Sequence, residues 1–452
     1  MKGGDHTADQ ARSWTACAQG RAIAAGRLDP VALTEAYLDA IATHPDGALI
    51  YARTTPGRAL AEAGTARARA QAGARHGPLD GVPVSWKDLV DVAGVACEGG
   101  SRLLAGRVPA ADAPIVTRAT AAGAVCLGKT HLSELAFSGL GINPMAATPP
   151  NRNDARLAPG GSSSGAALSV ASGLAALAIG SDTGGSVRIP AAWNDLVGLK
   201  TSPGVVPTRG CLPLAPSLDT IGPLARSVED AALGLALLTG GRPADLTGCL
   251  ARGMALHVPE TVALEGVEAP IADGFEKAVM ELTHAGAKLT RGPLEALAEV
   301  LDIAATLAPI VTGEGWQAWG ADIDANPDTL YPPIEARFRQ GASQDAASDA
   351  EARRRYADLA ETVAAHIAEH GMLVMPTVAC PPPPVAPLLI DEAAYVERNL
   401  KALRNSRLAN LLGMCALTLP TAVPHCGVML VAPAGEETAL LRAGRAVERA
   451  LA

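Results

Sequence analysis

The chain has 452 residues, 48% hydrophobic and 18% charged, with a formal net charge of −9. That composition suits a folded protein with a large core, and it lacks the basic patch that a nucleic-acid partner demands. Eight cysteines without C-x-x-C spacing exclude a zinc knuckle or a dithiol motif, and their scatter fits a reducing compartment.

The opening segment, MKGGDHTADQARSWTACAQGR, is polar and has no apolar signal core, so a cytoplasmic location is expected. Residues 30–43 repeat apolar side chains at three and four (Val31, Leu33, Ala36, Tyr37, Ile41) behind Pro30, which predicts a helix. Residues 57–75 predict an Ala/Arg helix with a solvated basic face. From Gly81 to Pro223 the chain is dense in Gly, Ser, Thr and Pro with short apolar runs such as 123–128, the style of a site held on rigid elements. The most apolar run, a predicted helix over Ala166–Gly180, is too short and too rich in small residues for a bilayer span, and no membrane partner is expected.

After Ser227, helices are predicted over 229–239, 274–286, 293–307 and 350–369, with strands at 254–258 and 372–375 between them. A proline-rich loop covers 375–387, and a last helix covers 435–451. Alternating helices and short buried strands predict a layered α/β core.

Three segments invite chemistry: GVPVSWKDLVDVAG (81–94), PGGSSSGAALSV (159–170) and GSDTGGSVRIPAA (180–192). Lys87 lies in a stretch that reads as buried, and burial lowers a lysine's pKa until it acts as a base near neutrality. The plainer alternative pairs Lys87 with Asp88 or Asp91 at a turn. Gly160–Gly161 before three serines permits close backbone approach, or the serines simply cap the following helix. Thr183, Gly184, Gly185 and Ser186 offer successive backbone N–H groups beside a hydroxyl, which is what attack on a carbonyl needs, or they form a tight glycine turn. Asp182 and Arg188 flank that segment with opposite charges.

Together with GKTHLSELAFSGLG (128–141) and SLDTIGP (217–223), the order and spacing of these segments resemble the amidase signature family from about Gly81 to Pro223. A looser likeness runs on through MPTVACPPPP and LTLPT (417–421). Lys87 stands 99 positions before Ser186, and Ser162 stands 24 before it, intervals similar to the family's.

The resemblance implies a large mixed β-sheet covered by helices on both faces. It also implies a single domain over 1–452: a helical segment at 1–75, a core at 76–230 and a helical, substrate-lining part at 231–452. The implied activity is hydrolysis of linear amide C–N bonds through a Ser186 acyl-enzyme, with no metal and no cofactor. Lys87, Ser162 and Ser186 would be catalytic, with Gly161–Ser162 a cis peptide. Thr183, Gly184, Gly185 and Ser186 would supply the oxyanion hole. Ser163 and Asp182 would support them, and Arg188 would brace the loop or meet a substrate carboxylate.

The stretch 137–143 and the variable residues about 310–340 would line the pocket, so that Phe137, Ser138, Gly139, Leu140 and Ile142, with Trp316, Trp319 and Tyr331, would bind a small or medium carboxamide bearing an apolar or aryl portion. That amide is the expected partner, and a homodimer is a candidate assembly. His131 stands where relatives commonly carry asparagine. Asn194–Asp195 and the absence of a proline after Lys200 also depart from the family pattern, and their meaning is open.

Competing motifs exist. Gly161–Gly165 fits G-x-S-x-G and nominates Ser163, but the Pro149–Pro159 stretch before it cannot form the strand that motif requires. His366, Glu369 and His370 fit H-x-x-E-H, a zinc pattern that needs a third ligand and otherwise reads as a polar helix face ending at Gly371. Members of the family also act as glutaminase subunits of tRNA-dependent amidotransferases, which would give this chain a partner enzyme.

Overall fold

The computed structural model describes residues 5–307 and 309–452. Strands β1 (Tyr51–Thr54), β2 (Pro83–Lys87), β3 (Val125–Thr130), β4 (Leu177–Asp182), β5 (Val197–Lys200) and β6 (Thr220–Ala225) come from the first half. Strands β7 (Ala255–Pro259), β8 (Lys288–Gly292), β9 (Met372–Pro376), β10 (Cys415–Pro420) and β11 (Gly427–Ala432) come from the second. All eleven join one sheet in the order β1-β3-β2-β4-β6-β5-β10-β11-β9-β7-β8. Parallel pairing links β3, β2 and β4 at one end and β9, β7 and β8 at the other, with antiparallel pairs between, so the sheet is mixed.

Strands β2, β3 and β4 are buried along their whole length, the expected state of central parallel strands covered by helices. Around them the helix signals behave locally as their chemistry requires. Pro30–Thr43 is helical, with Asp29 Oδ1 accepting from Val31 N at 2.8 Å and Pro30 at the first turn. Val228–Thr239 is capped by Ser227 and ends at Gly240 with φ 73°.

The apolar run 166–180 is not one helix. Ser164–Ala171 is helical, Gly173 turns the chain at φ 67°, and Leu177–Asp182 forms β4. Two short apolar elements separated by a turn have the composition of one longer helix. Another stretch, Ala296–Ala325, is long and apolar enough to cross a membrane by length and composition. In this fold it is broken into helices Ala296–Thr306 and Ile310–Ala325, which bury Leu297, Val300, Ile303 and Ile323 in the core.

The topology already locates a site. β2 and β4 are parallel neighbours, with Trp86 opposite Ile179, so Lys87 at the end of β2 and the loop after Asp182 emerge at the same edge. The carboxyl ends of parallel strands are where α/β sheets gather their functional loops.

Candidate active site

Lys87 is fully buried and donates to Ser162 Oγ at 2.7 Å and to Ser181 Oγ at 2.8 Å. Its sequence neighbours are engaged elsewhere. Asp88 accepts from Lys129 Nζ at 2.9 Å and from Arg53 at 3.0 Å, and Asp91 pairs with Arg107 at 2.6 Å. Among the described residues Lys87 therefore has no ion-pair partner. Burial lowers its pKa from 10.5 to about 7, with the charges of Asp182 and Asp219 opposing that shift.

Ser162 follows a cis peptide bond to Gly161. That turn is packed tightly: Gly161 N donates to Gly139 O at 2.8 Å, and Ser133 N donates to Ser162 O at 3.1 Å. A Cβ on Gly161 would lie 2.6 Å from Gly141 N, so only glycine fits. Ser163 occupies the cap position of the helix that follows but makes no side-chain cap. Instead its N–H donates to Ser186 O at 3.1 Å, and its Oγ bonds the backbone of Ser181. Ser163 thus ties the 162–163 turn to the 181–186 loop.

Within that loop Asp182 is the organising group. Its carboxylate accepts from Gly185 N at 2.8 Å, Val187 N at 3.0 Å, Asn410 Nδ2 at 2.9 Å and the Arg188 guanidinium at 2.9 and 3.0 Å. Burial alone would raise the Asp182 pKa, but the Arg188 charge and hydrogen bonds outweigh it and hold the carboxyl well below its usual range. Arg188 is itself wholly buried and also donates to Ser406 O at 2.7 Å and Asn410 Oδ1 at 2.6 Å. These bonds brace the loop, and Arg188 is not among the residues that line the cavity beside Ser186.

The loop leaves Ser186 beside a cavity of about 370 Å³. Ser186 Oγ makes no hydrogen bond among the described residues, to Ser162 or to any other group. Catalytic hydrogen bonds are often long or unmade until substrate binds. The N–H groups of Thr183, Gly184 and Ser186 likewise meet no acceptor among the described residues. Gly185, expected to join that donor set, spends its N–H on Asp182. The geometry leaves three donors beside the Ser186 hydroxyl.

Phe137, Ser138 and Gly139 line the cavity as expected. Asn399 Oδ1 holds this segment by accepting from Gly139 N at 2.8 Å, and Tyr395 Oη donates to Ser138 Oγ at 2.8 Å. Leu140 and Ile142 do not line it: both are buried on the far side in a cluster with Trp193 and Ile189. Trp316, Trp319 and Tyr331 pack against the core instead, with Trp319 Nε1 bonded to Pro213 O at 2.8 Å. The wall also includes Ile310–Thr312 and Arg337, which fall in the 310–340 stretch expected there, and Tyr356 and Arg407, which no sequence motif singles out.

The open questions at 131 and 194–195 have structural answers in part. Asn194 donates to Pro159 O at 2.7 Å and Pro190 O at 2.8 Å, fixing the entry to the Gly160–Ser162 turn. Asp195 accepts from Asn153 Nδ2 at 2.9 Å and His425 N at 3.2 Å. His131 uses its backbone to hold Ile50 and Gly165, and its Nδ1 is buried without a partner.

His366 and His370 meet a third histidine, His257 of β7, with ring centroids 4.4–5.6 Å apart. His257 Nδ1 is taken by Thr290 Oγ1 at 2.9 Å. Among the described residues no group of three or more His, Cys, Asp or Glu side chains is arranged to hold a metal ion.

The profile of the Amidase family matches residues 32–441, and the chain belongs to that family. Its members are amidohydrolases that act on C–N bonds. The chain is 36% identical to a 2-amino-5-chloromuconic acid deaminase of Comamonas testosteroni, over 82% of each protein. It is 31% identical to the A-type subunit of a Glutamyl-tRNA(Gln) amidotransferase from Chloroflexus aurantiacus, over 96% of each. The crystal structure of native peptide amidase from Stenotrophomonas maltophilia superposes with a TM-score of 0.81 at 28% identity, covering 97% of both chains.

Proposed function

We propose that this amidase uses Ser186 as nucleophile, with Ser162 and Lys87 as its proton relay. The observation that carries the reading is the buried Lys87–Ser162 contact with no carboxylate to keep the lysine charged. Neutral Lys87 retains a lone pair, and the 2.7 Å contact then lets Ser162 O–H donate to Nζ while Nζ–H donates to Ser181. As a carbonyl carbon approaches Ser186 Oγ, its hydroxyl proton passes to Ser162 and the Ser162 proton to Lys87. The developing oxyanion is met by the free N–H groups of Thr183, Gly184 and Ser186. The protonated lysine returns a proton through Ser162 to the leaving amine. Water then attacks the acyl-enzyme by the same route, releasing a carboxylic acid.

The substrate is a small or medium carboxamide, in keeping with the cavity volume and its Phe137 wall. All eight cysteines are free, which supports a cytoplasmic setting, and the continuous sheet supports a single domain. Hydrolysis of a panel of primary amides, anilides and esters tests the activity. Release of acid and amine by the wild type, abolished in Ser186→Ala, is the expected result, and full turnover by Ser186→Ala contradicts it.

A second reading draws on the similarity to the amidotransferase component. Under it the ammonia released from glutamine passes to a partner enzyme, and affinity purification from the native cell recovers that partner in stoichiometric amount.

A further inference from the structure

Two arginines stand in the wall of the Ser186 cavity without a counter-ion among the described residues. Arg337 sits over the Phe137 ring, its guanidinium carbon 4.2 Å from the centroid, and donates one N–H to Phe137 O at 2.5 Å. Arg407 makes no hydrogen bond or ion pair among the described residues, and its Nε is buried without an acceptor. The Tyr356 hydroxyl, in the same wall, is also buried and unpartnered. The one carboxylate in the lining, Glu392, is exposed and reaches neither guanidinium.

Unpaired cations in a half-closed cavity are unusual, since a protein ordinarily pairs or solvates them. Burial pulls Arg337 down to about 10, and the Arg407 charge adds to that shift. The two groups therefore raise each other's cost in the empty site. A bound anion reverses the sign of both effects. Several arginines elsewhere are matched to carboxylates, as Arg188 with Asp182, Arg69 with Asp80 and Arg58 with Asp112, whereas Arg75 and Arg404, away from the cavity, also keep a buried nitrogen without a partner. What sets Arg337 and Arg407 apart is their place: both line the cavity that Ser186 opens onto.

We propose that the cavity selects amides that carry a carboxylate, held by the guanidinium groups of Arg337 and Arg407 while the amide carbon lies at Ser186. The proposal rests on the Ser186 reading and names the substrate class for it. Arg337 is the fixed half of the clamp, because Phe137 engages it through both its ring and its carbonyl oxygen, and the segment after Phe137 carries Ser138 and Gly139 along the same wall. Arg407 adds a charge from a distant part of the chain.

The test compares a homologous series of linear amides ending in a carboxylate with the same amides ending in an isopropyl group, its uncharged isostere. Wild type should favour the acid at the best chain length by about 10- to 100-fold in kcat/KM. In Arg337→Gln and in Arg407→Gln that ratio should fall toward one, while Arg407→Lys should retain most of it. Linear dicarboxylates should also slow fluorophosphonate labelling of wild-type Ser186, and neutral diols of equal length should not, a measurement that needs no variant to fold. A ratio of one or below in an enzyme that does label at Ser186 overturns the carboxylate clamp alone. A ratio unchanged in both glutamine variants overturns it equally. Failure of the probe to modify Ser186 overturns the nucleophile assignment, and the clamp with it.

Discussion

Lys87 Nζ lies 2.7 Å from Ser162 Oγ, and the carboxylates beside it in sequence, Asp88 and Asp91, are committed to Lys129, Arg53 and Arg107. The cations that surround the site thus neutralise the acids nearest to Lys87 in sequence. A lysine isolated in this way titrates near neutrality. Two consequences follow, one for rate and one for stability.

For rate, kcat/KM should rise as pH passes through about 7 and level off above it, because only neutral Lys87 accepts the Ser162 proton. Lys87→Ala should lose that inflection, with activity lower by about 10²- to 10⁴-fold and climbing at high pH as hydroxide replaces the base. A pH profile of the variant parallel to that of wild type would remove Lys87 from the relay.

For stability, the folded chain binds fewer protons at Lys87 than the unfolded chain between about 7 and 10.5. Stability contributed by this site therefore rises with pH across that window, and the burial penalty is greatest at and below about 7. Lys87→Met removes the penalty. In urea unfolding at pH 7 it should add on the order of 1–3 kcal/mol of stability, with the gain shrinking toward pH 10. A variant less stable than wild type at pH 7 would show that the lysine is charged and paired.

Much of this site is legible in the residues of 81–223, because its three segments are contiguous motifs whose small residues are dictated by close backbone approach, as at Gly161. What sequence reasoning missed depends on the tertiary path. Ser181, the second acceptor of Lys87, sits within a strand and carries no local signal. Asn410 and Ser406, which fasten Asp182 and Arg188, lie more than 200 positions away. The donor role expected of Gly185 fails because its N–H is nearest to Asp182, a detail of one turn that spacing does not encode. Adjacency to Gly139 suggests a cavity position for Leu140, but its side chain packs into the core with Ile189 and Trp193, residues brought there by the tertiary path.

The buried Asp182–Arg188 pair should be costly to break. Arg188→Met leaves Asp182 unpaired in the interior and should destabilise the protein by about 3–5 kcal/mol in urea unfolding. Since the Asp182 carboxyl is held below its usual range, the stability it contributes is present above that range and is lost as pH falls through its folded value. An Arg188→Met protein as stable as wild type would mean that the pair is dispensable.

Gly185 has φ 134°, and a Cβ there would sit 2.1 Å from Ser406 Oγ. Gly185→Ala should therefore displace the loop from Asp182, lowering stability by about 1–3 kcal/mol and activity much further, since the N–H donors move with it. Thermal melting beside steady-state assays separates the two effects. Unchanged kcat/KM would show that the loop geometry around Ser186 is not required for turnover.

The nucleophile itself is tested most directly by covalent trapping. Wild-type protein is treated with a fluorophosphonate, digested, and the modified residue is located by mass spectrometry, with Ser162→Ala, Ser163→Ala and Ser186→Ala alongside. The expected result is a single adduct on Ser186, slowed strongly in Ser162→Ala, retained in Ser163→Ala and absent in Ser186→Ala. An adduct on Ser163, or undiminished labelling of Ser186→Ala, contradicts the assignment.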